Sequence, residues 1–217
     1  MTIQILLADD HAIVREGLRY LLNAQSDLQV IGEVADGRQA VEQAGRLHPD
    51  VVVMDIAMPV LNGIEATEQI RLASPSTQVV ILSMHATREH VYRALSAGAL
   101  AYLLKDTAGT ELVDAVRVVH NGQRYICKRI TELVIEGFID LRAQNAVKSP
   151  LEKLSGRERE ILQLVVEGKS SVEIGQMLHL SPKTVETYRS RMMEKLGIKD
   201  LPGLVKFAIQ HGLTSLD

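Results

Sequence analysis

The stretch Val51-Val52-Val53-Met54-Asp55-Ile56-Ala57-Met58-Pro59 decides how the first half of the chain is read. Four aliphatic residues in succession suit a strand buried on both faces of a parallel sheet, and the aspartate ends the run where such a strand leaves the core. The same arrangement recurs around it: Leu6-Leu7-Ala8 runs into Asp9 and Asp10, Ile81-Leu82 into Ser83, and Tyr102-Leu103-Leu104 into Lys105. Working outward from these runs, strands are predicted over residues 3–8, 28–34, 51–54, 78–83 and 101–104. The stretches between them, residues 11–23, 37–47, 63–73, 88–97 and 110–121, carry apolar residues near i, i+3 and i+4 and are predicted as helices.

Strand and helix alternating five times give an α/β unit of the flavodoxin-like (βα)5 kind. Right-handed crossovers place helices on both faces of an open parallel sheet, with ligands at the carboxyl edge. Asp9, Asp10, Asp55, Ser83 and Lys105 all follow or end strands and so converge on that edge. Three carboxylates crowded together repel one another unless a hard divalent cation sits among them, and an oxygen-rich open site suits Mg²⁺ with retained waters. With Lys105 opposite, the chemistry these residues serve is phosphoryl transfer. Asp55 would be the nucleophile, Lys105 and the metal would neutralise charge on the equatorial oxygens, and Ser83 would donate a hydrogen bond. His11 and His85 lack ligand spacing with another histidine and read as surface or helix-capping residues.

The chain has 217 residues, 46% hydrophobic and 24% charged, enough for a core in each of two ordinary domains. Its single cysteine, Cys127, excludes an internal disulfide and fits a reducing compartment. The opening apolar run is short and followed by acids, unlike a signal peptide or a membrane span, so a cytoplasmic protein with no membrane partner is expected. Charge is uneven. Residues 1–122 hold 9 Lys or Arg against 15 Asp or Glu, whereas residues 123–217 hold 15 against 12, so a polyanionic partner is sought in the second half. The excess is small, and a mixed solvated surface reads equally well on charge alone.

After Gly122 the strand pattern stops. Residues 122–149 read as a linker with a helix near 129–142, and residues 150–217 as an all-α domain of four short helices marked by their ends. Ser155 with Glu158, and Ser170 with Glu173, match capping boxes. Gly168 reads as a stop, Ser181-Pro182 as an N-cap with proline at the first helical position, and Asp200 as the cap of the last helix, near 201–210. Residues 178–181 have the length of a helix-turn-helix turn with Leu180 buried in it. At 100° per residue, Val185, Tyr188, Met192 and Leu196 fall on one side of the next helix, toward Ile161, Leu164, Val165, Ile174 and Leu178. Lys183, Thr187, Ser190, Arg191 and Glu194 fall on the other, where the N-terminal members would meet base edges in a major groove. Lys183, Arg189, Arg191, Lys195 and Lys199 are candidate phosphate contacts. Periodicity alone fits a helical bundle with a charged face as well.

Leu6-Leu7-Ala8-Asp9-Asp10-His11, Asp55 through Pro59, Ile81-Leu82-Ser83 and Tyr102-Leu103-Leu104-Lys105 together resemble the receiver domain of response regulators, over about the first 120 residues. The resemblance implies that Asp55 accepts a phosphoryl group from a sensor histidine kinase. It implies Mg²⁺ held directly by Asp10, Asp55 and the Ala57 carbonyl, and through water by Asp9. Ser83 and Tyr102 match the switch pair, in which the hydroxyl moves to the phosphoryl group and the aromatic ring turns inward. Residues 154–160, Glu167-Gly168, Glu173-Ile174-Gly175, residues 180–189 and Lys195-Leu196-Gly197 resemble the LuxR-type DNA-binding domain, which with a receiver makes the NarL/FixJ subfamily. By that likeness Glu186, Thr187 and Ser190 approach bases, Lys183 and Thr184 touch the DNA backbone, and the last helix pairs two copies as a homodimer.

The implied function is a two-component transcription regulator rather than an enzyme. The resting receiver would cover the recognition helix, and phosphorylation would free it and favour a dimer on half-sites about one helical turn apart. Two positions depart from the families' patterns. Asp106 stands where many receivers have a cis proline, and a cis bond before a non-proline residue costs about 2.5–4 kcal/mol. Gly175 replaces the usual alanine at about 1 kcal/mol of helix propensity, unless helices cross closely there. An aspartyl-phosphate phosphatase would need a second carboxylate two residues beyond Asp55, where Ala57 stands. The same architecture would also serve a phosphorelay adaptor working through protein contacts, or a regulator that binds DNA without phosphorylation.

Overall fold

The strands form where aliphatic runs can be buried on both faces. In the computed structural model, which describes residues 2–84, 86–127, 129–131 and 150–214, they are β1 (Ile3–Ala8), β2 (Leu28–Val34), β3 (Val51–Asp55), β4 (Gln78–Ser83) and β5 (Ala101–Leu104). Every residue of β3 and β5 is buried. Helices α1 (Ala12–Asn23), α2 (Gly37–Leu47), α3 (Gly63–Ala73), α4 (Arg88–Ala97) and α5 (Ala108–His120) connect and follow them. The chain divides into two compact units, Met1–Asn145 and Ala146–Asp217.

All strand pairs are parallel, in the order β2-β1-β3-β4-β5 followed by one more strand, β6 (Tyr125–Ile126). The flavodoxin-like class therefore stands, but the expectation that strands end before Gly122 does not. Tyr125 and Ile126 pair with Ala101 and Tyr102, extending the sheet by one edge strand. Two residues are too few to show a period-2 pattern, so only the neighbouring β5 reveals this strand. Ile130 and Cys127 beyond it are buried in the same core. The helix expected over 129–142 has its first three residues helical, and the rest lies outside the described residues.

The N-terminal end of α3 is clamped onto the end of β3. Asn62, itself buried, caps α3 by accepting from Ile64 N and Glu65 N, and Gly63 N donates to Ile56 O at 2.9 Å. Val60 in the intervening loop takes φ +69°, a conformation that β-branched residues rarely adopt. Helix α5 starts two residues earlier than expected. Gly109 in its first turn lowers propensity, but first-turn N–H groups have no intrahelical partner to lose.

The second unit has a 3₁₀ turn (Pro150–Lys153) and four described helices: α6 (Gly156–Val166), α7 (Ser171–Leu178), α8 (Pro182–Leu196) and α9 (Leu201–Gln210). Both capping boxes form, Ser181 caps α8 with Pro182 behind it, and Asp200 caps α9 by accepting from Gly203 N. Gly168 takes φ +82° just past α6, as a helix stop should. Ile161, Leu164, Ile174, Val185 and Met192 are fully buried, and Leu178 and Val165 nearly so. Tyr188, Leu196 and the turn residue Leu180 are half-buried rather than enclosed.

A methyl group on Gly63 would lie 2.0 Å from the Asp55 carbonyl oxygen, with backbone on both sides of the clash. Gly63→Ala is expected to cost about 1–3 kcal/mol of stability, the usual range for overpacking. A lower urea midpoint with an unchanged slope would register it.

Candidate phospho-acceptor site and nucleic-acid interface

The strand order reverses direction of growth between β1 and β3, which opens a crevice at their carboxyl ends. Asp9 and Asp10 leave β1 there, and Asp55 ends β3 beside them. Asp9 and Asp55 are buried, at 2% and 3% exposure, and Asp10 is partly exposed. One oxygen from each of these three carboxylates and a ring nitrogen of His11 lie within 4.8 Å of one another. Lys105, carried in by β5, places Nζ 2.7 Å from Asp9 Oδ2 and 2.8 Å from Asp55 Oδ2.

The electrostatics follow from this geometry. Burial pushes the Asp55 carboxyl above its ordinary pKa; Lys105 works against that, and the charges of Asp9 and Asp10 add to it. Burial alone would lower the Lys105 pKa, but Asp55 and Asp9 outweigh it and hold the ammonium above its usual value. Asp10 Oδ1 is a buried oxygen with no hydrogen bond of good geometry, facing His11 Nδ1 at 2.7 Å. An orphaned carboxylate oxygen among two further carboxylates is a donor set that fits a hard divalent cation.

Ser83 is buried at the end of β4, and its carbonyl accepts from Lys105 N at 2.8 Å. Tyr102 is fully buried, and its hydroxyl shares a hydrogen bond with Ser83. Burial pushes the Tyr102 phenol up to about 12, with the Asp55 charge adding and the Ser83 bond opposing. Ala57 is exposed in the loop after Asp55, and its carbonyl accepts no backbone hydrogen bond among the described residues. Asp9, Asp10, Asp55 and Lys105 meet at that edge, Ser83 ends the neighbouring β4, and Ala57 lies in the adjoining loop. The Lys105-Asp106 bond is trans, and Asp106 instead faces Arg129 at 3.4 Å. His11 stands at the N-cap of α1, but its side chain makes no capping bond. His85 lies outside the described residues. Sequence reasoning missed Asn62 and Gly63 as the clamp behind Asp55, although Asn before Gly at a helix start was a legible cap signal. It also missed Arg15, whose guanidinium donates to the Asp9 carbonyl at 2.5 Å.

In the second unit, Ser181, Lys183, Thr184, Thr187, Tyr188 and Arg191 line one shallow concavity. Lys183, Glu186, Thr187, Ser190 and Arg191 are all exposed, and Thr184 is half-buried, with its N–H donating to Ser181 Oγ at 3.1 Å. Two candidate phosphate contacts are otherwise engaged. Lys195 binds both oxygens of the buried Glu158 at 2.7 and 2.8 Å, and Arg189 donates to Ser171 Oγ at 3.2 Å. Glu186 is held by Ser171 and lies 3.6 Å from Arg189. A methyl group on Gly175 would come within 2.7 Å of the Leu180 carbonyl, so the glycine lets the turn fold tightly back on α7.

Residues 5–117 match the response regulator receiver domain, and residues 152–208 match the luxR family of bacterial regulatory proteins. The chain is a NarL/FixJ-type response regulator. It is 38% identical over 213 residues to the oxygen regulatory protein NreC of Staphylococcus carnosus, covering 97% of this chain and 98% of that one. It is also 38% identical over 211 residues to the transcriptional regulatory protein YxjL of Bacillus subtilis, covering 97% of each. Among solved structures, a LuxR-family response regulator from Aurantimonas aligns over 64% of this chain and 99% of its own (35% identity, TM-score 0.61). The response regulator RcsB in complex with DNA aligns over 95% and 98% (26% identity, TM-score 0.58). The regulator thus joins a receiver to a DNA-binding domain and acts on transcription. No helix among its described residues is long and apolar enough to cross a membrane.

Because Asp55 is more readily protonated in the folded state than in the unfolded one, its charge opposes folding above its folded pKa. That opposition fades as pH falls toward the ordinary carboxylate value. Asp55→Asn is therefore expected to raise the melting temperature of the metal-free protein at neutral pH, with the gain shrinking on acidification. Thermal melts across pH would read this, and a variant that melts below wild type at neutral pH would contradict it.

Proposed function

We propose that Asp55 is the phospho-acceptor and that its phosphorylation by a sensor histidine kinase controls dimerisation and sequence-specific DNA binding in the cytoplasm. The observation that carries this reading is the Lys105 ammonium held between Asp9 and Asp55 at the crevice of the sheet. An Asp55 oxygen attacks phosphorus, the O–P bond forms as the P–N bond to the kinase histidine breaks, and the imidazole leaves with a proton. Lys105 is within reach of Asp55 Oδ2 and neutralises charge on the incoming group. Asp9, Asp10, Asp55 and the Ala57 carbonyl would hold Mg²⁺, which when bound supplies charge neutralisation at the transferring phosphoryl group. Ser83 donates to the phosphorylated side chain, and its bond to the enclosed Tyr102 links that event to β5 and the face beside it.

On DNA, Glu186, Thr187 and Ser190 approach base edges, while Lys183, Thr184 and Arg191 contact the backbone. The exposure on α8 of all of these but the half-buried Thr184 supports this. Arg189 and Lys195 position the recognition helix through Ser171 and Glu158 instead of meeting phosphate. Leu201, Val205 and Ile209 recur every four residues along α9 and line an open apolar concavity, a face suited to pairing two copies.

A gel shift with a small-molecule phosphodonor and Mg²⁺ tests the scheme. Wild type should bind more tightly after treatment, and Asp55→Ala should show no such gain and no acid-labile phosphate. Equal gain in Asp55→Ala would remove Asp55 phosphorylation as the control. Lys183→Ala should reduce the salt dependence of binding by about one phosphate contact per subunit, a log–log slope smaller by roughly 1.8 for the dimer. Lys195→Met should leave that slope unchanged while lowering the stability of the helical unit.

A further inference from the structure

Among the described residues, the His11 ring is a metal-ligating group at the crevice that the phosphoryl-transfer scheme does not use. Its backbone N–H donates to Asp9 Oδ1 at 2.9 Å, which fixes the residue against the site. Arg15, one turn along α1, holds the Asp9 carbonyl and so keeps this turn in place. At the N-cap of α1 the side chain could have served the helix, yet it makes no capping bond. The ring instead turns Nδ1 to the carboxylates, 2.7 Å from Asp10 Oδ1 and 3.4 Å from Asp9 Oδ1. Among the described residues, Asp10 Oδ1 makes no hydrogen bond of good geometry. The ring nitrogen and one oxygen each from Asp9, Asp10 and Asp55 lie within ligand spacing of one another.

We propose that the His11 imidazole is a further protein donor of the metal site, so that this receiver accepts nitrogen-binding divalent ions more readily than an all-oxygen site would. The inference rests on the reading of Asp9, Asp10 and Asp55 as a metal site. Carboxylate, carbonyl and water ligands suit Mg²⁺, whereas an imidazole adds affinity for later first-row ions such as Co²⁺ and contributes little to Mg²⁺. His11 is thus a specificity-determining residue for the cation. Its side chain is half exposed, so its replacement leaves the core intact.

The experiment uses the full chain, freed of any affinity tag, at one fixed pH. Isothermal titration with MgCl₂ and with CoCl₂ is run on wild type, His11→Gln, His11→Ala and Asp10→Asn. The two His11 variants should lose about tenfold in Co²⁺ affinity, the low end of what metal sites lose when a supporting residue is removed, and less than about twofold in Mg²⁺ affinity. Asp10→Asn should weaken both ions. In proton NMR spectra, Co²⁺ should shift or broaden one histidine ring resonance first, and that resonance should be missing from the His11→Gln spectrum. Equal factors for the two ions, with the His11 resonance undisturbed, would overturn the role of His11 and leave the metal site standing. Failure of wild type to bind either ion would overturn both.

Discussion

A single ammonium between two buried carboxylates organises the first unit. Lys105 comes from β5, Asp9 follows β1 and Asp55 ends β3, so the contacts at 2.7 and 2.8 Å tie three strands together across the crevice of the sheet. The arrangement remains short of balance. Asp9, Asp10 and Asp55 place three acidic groups against one Lys105, and the raised Asp55 pKa records the cost of holding its charge out of water. A site in that condition gains from any added positive charge, and its charges are arranged at a cost to stability. The clamp of Asn62 and Gly63 behind Asp55 keeps this aspartate from moving away from its neighbours.

The second unit uses a buried charge differently. Glu158 closes the capping box of α6 through Ser155 N and also receives Lys195 from the far end of α8. Burial works to raise its pKa, but Lys195 and Ser155 hold it below the ordinary carboxylate range. Arg157 beside it donates to the Leu178 carbonyl at the end of α7 and pairs with Glu160. One motif at the start of α6 therefore fixes both helices of the helix-turn-helix. The exposed face of α8 is left free to carry polar residues that the fold itself does not need.

Much of this was legible in the chain. The ends of α2, α3, α4, β4 and β5 fall where apolar period and punctuation put them, because each is bounded by a cap, a glycine or a strand-ending polar residue. The capping boxes at Ser155 and Ser170 are local devices within four residues, so they need no tertiary knowledge. By contrast β6 exists only because β5 offers an edge, and Lys195 counts as structural only once Glu158 is seen beneath it. Gly175 looked like a weakness of α7 until the Leu180 carbonyl was found in the space of its missing methyl group.

By itself the amino-acid sequence determined the alternation of strands and helices, the strand-end positions of Asp9, Asp10, Asp55, Ser83 and Lys105, and the helix-turn-helix pattern after Pro150. These depend on periodicity and on residue types at chain turns, which are properties of short segments. Only the tertiary structure decided which cations are spent inside the molecule, how closely His11 approaches the carboxylates, and that Tyr102 turns inward to Ser83. Each of those outcomes is a distance between residues remote in sequence or a choice of rotamer, and both are set by packing and by the local electric field.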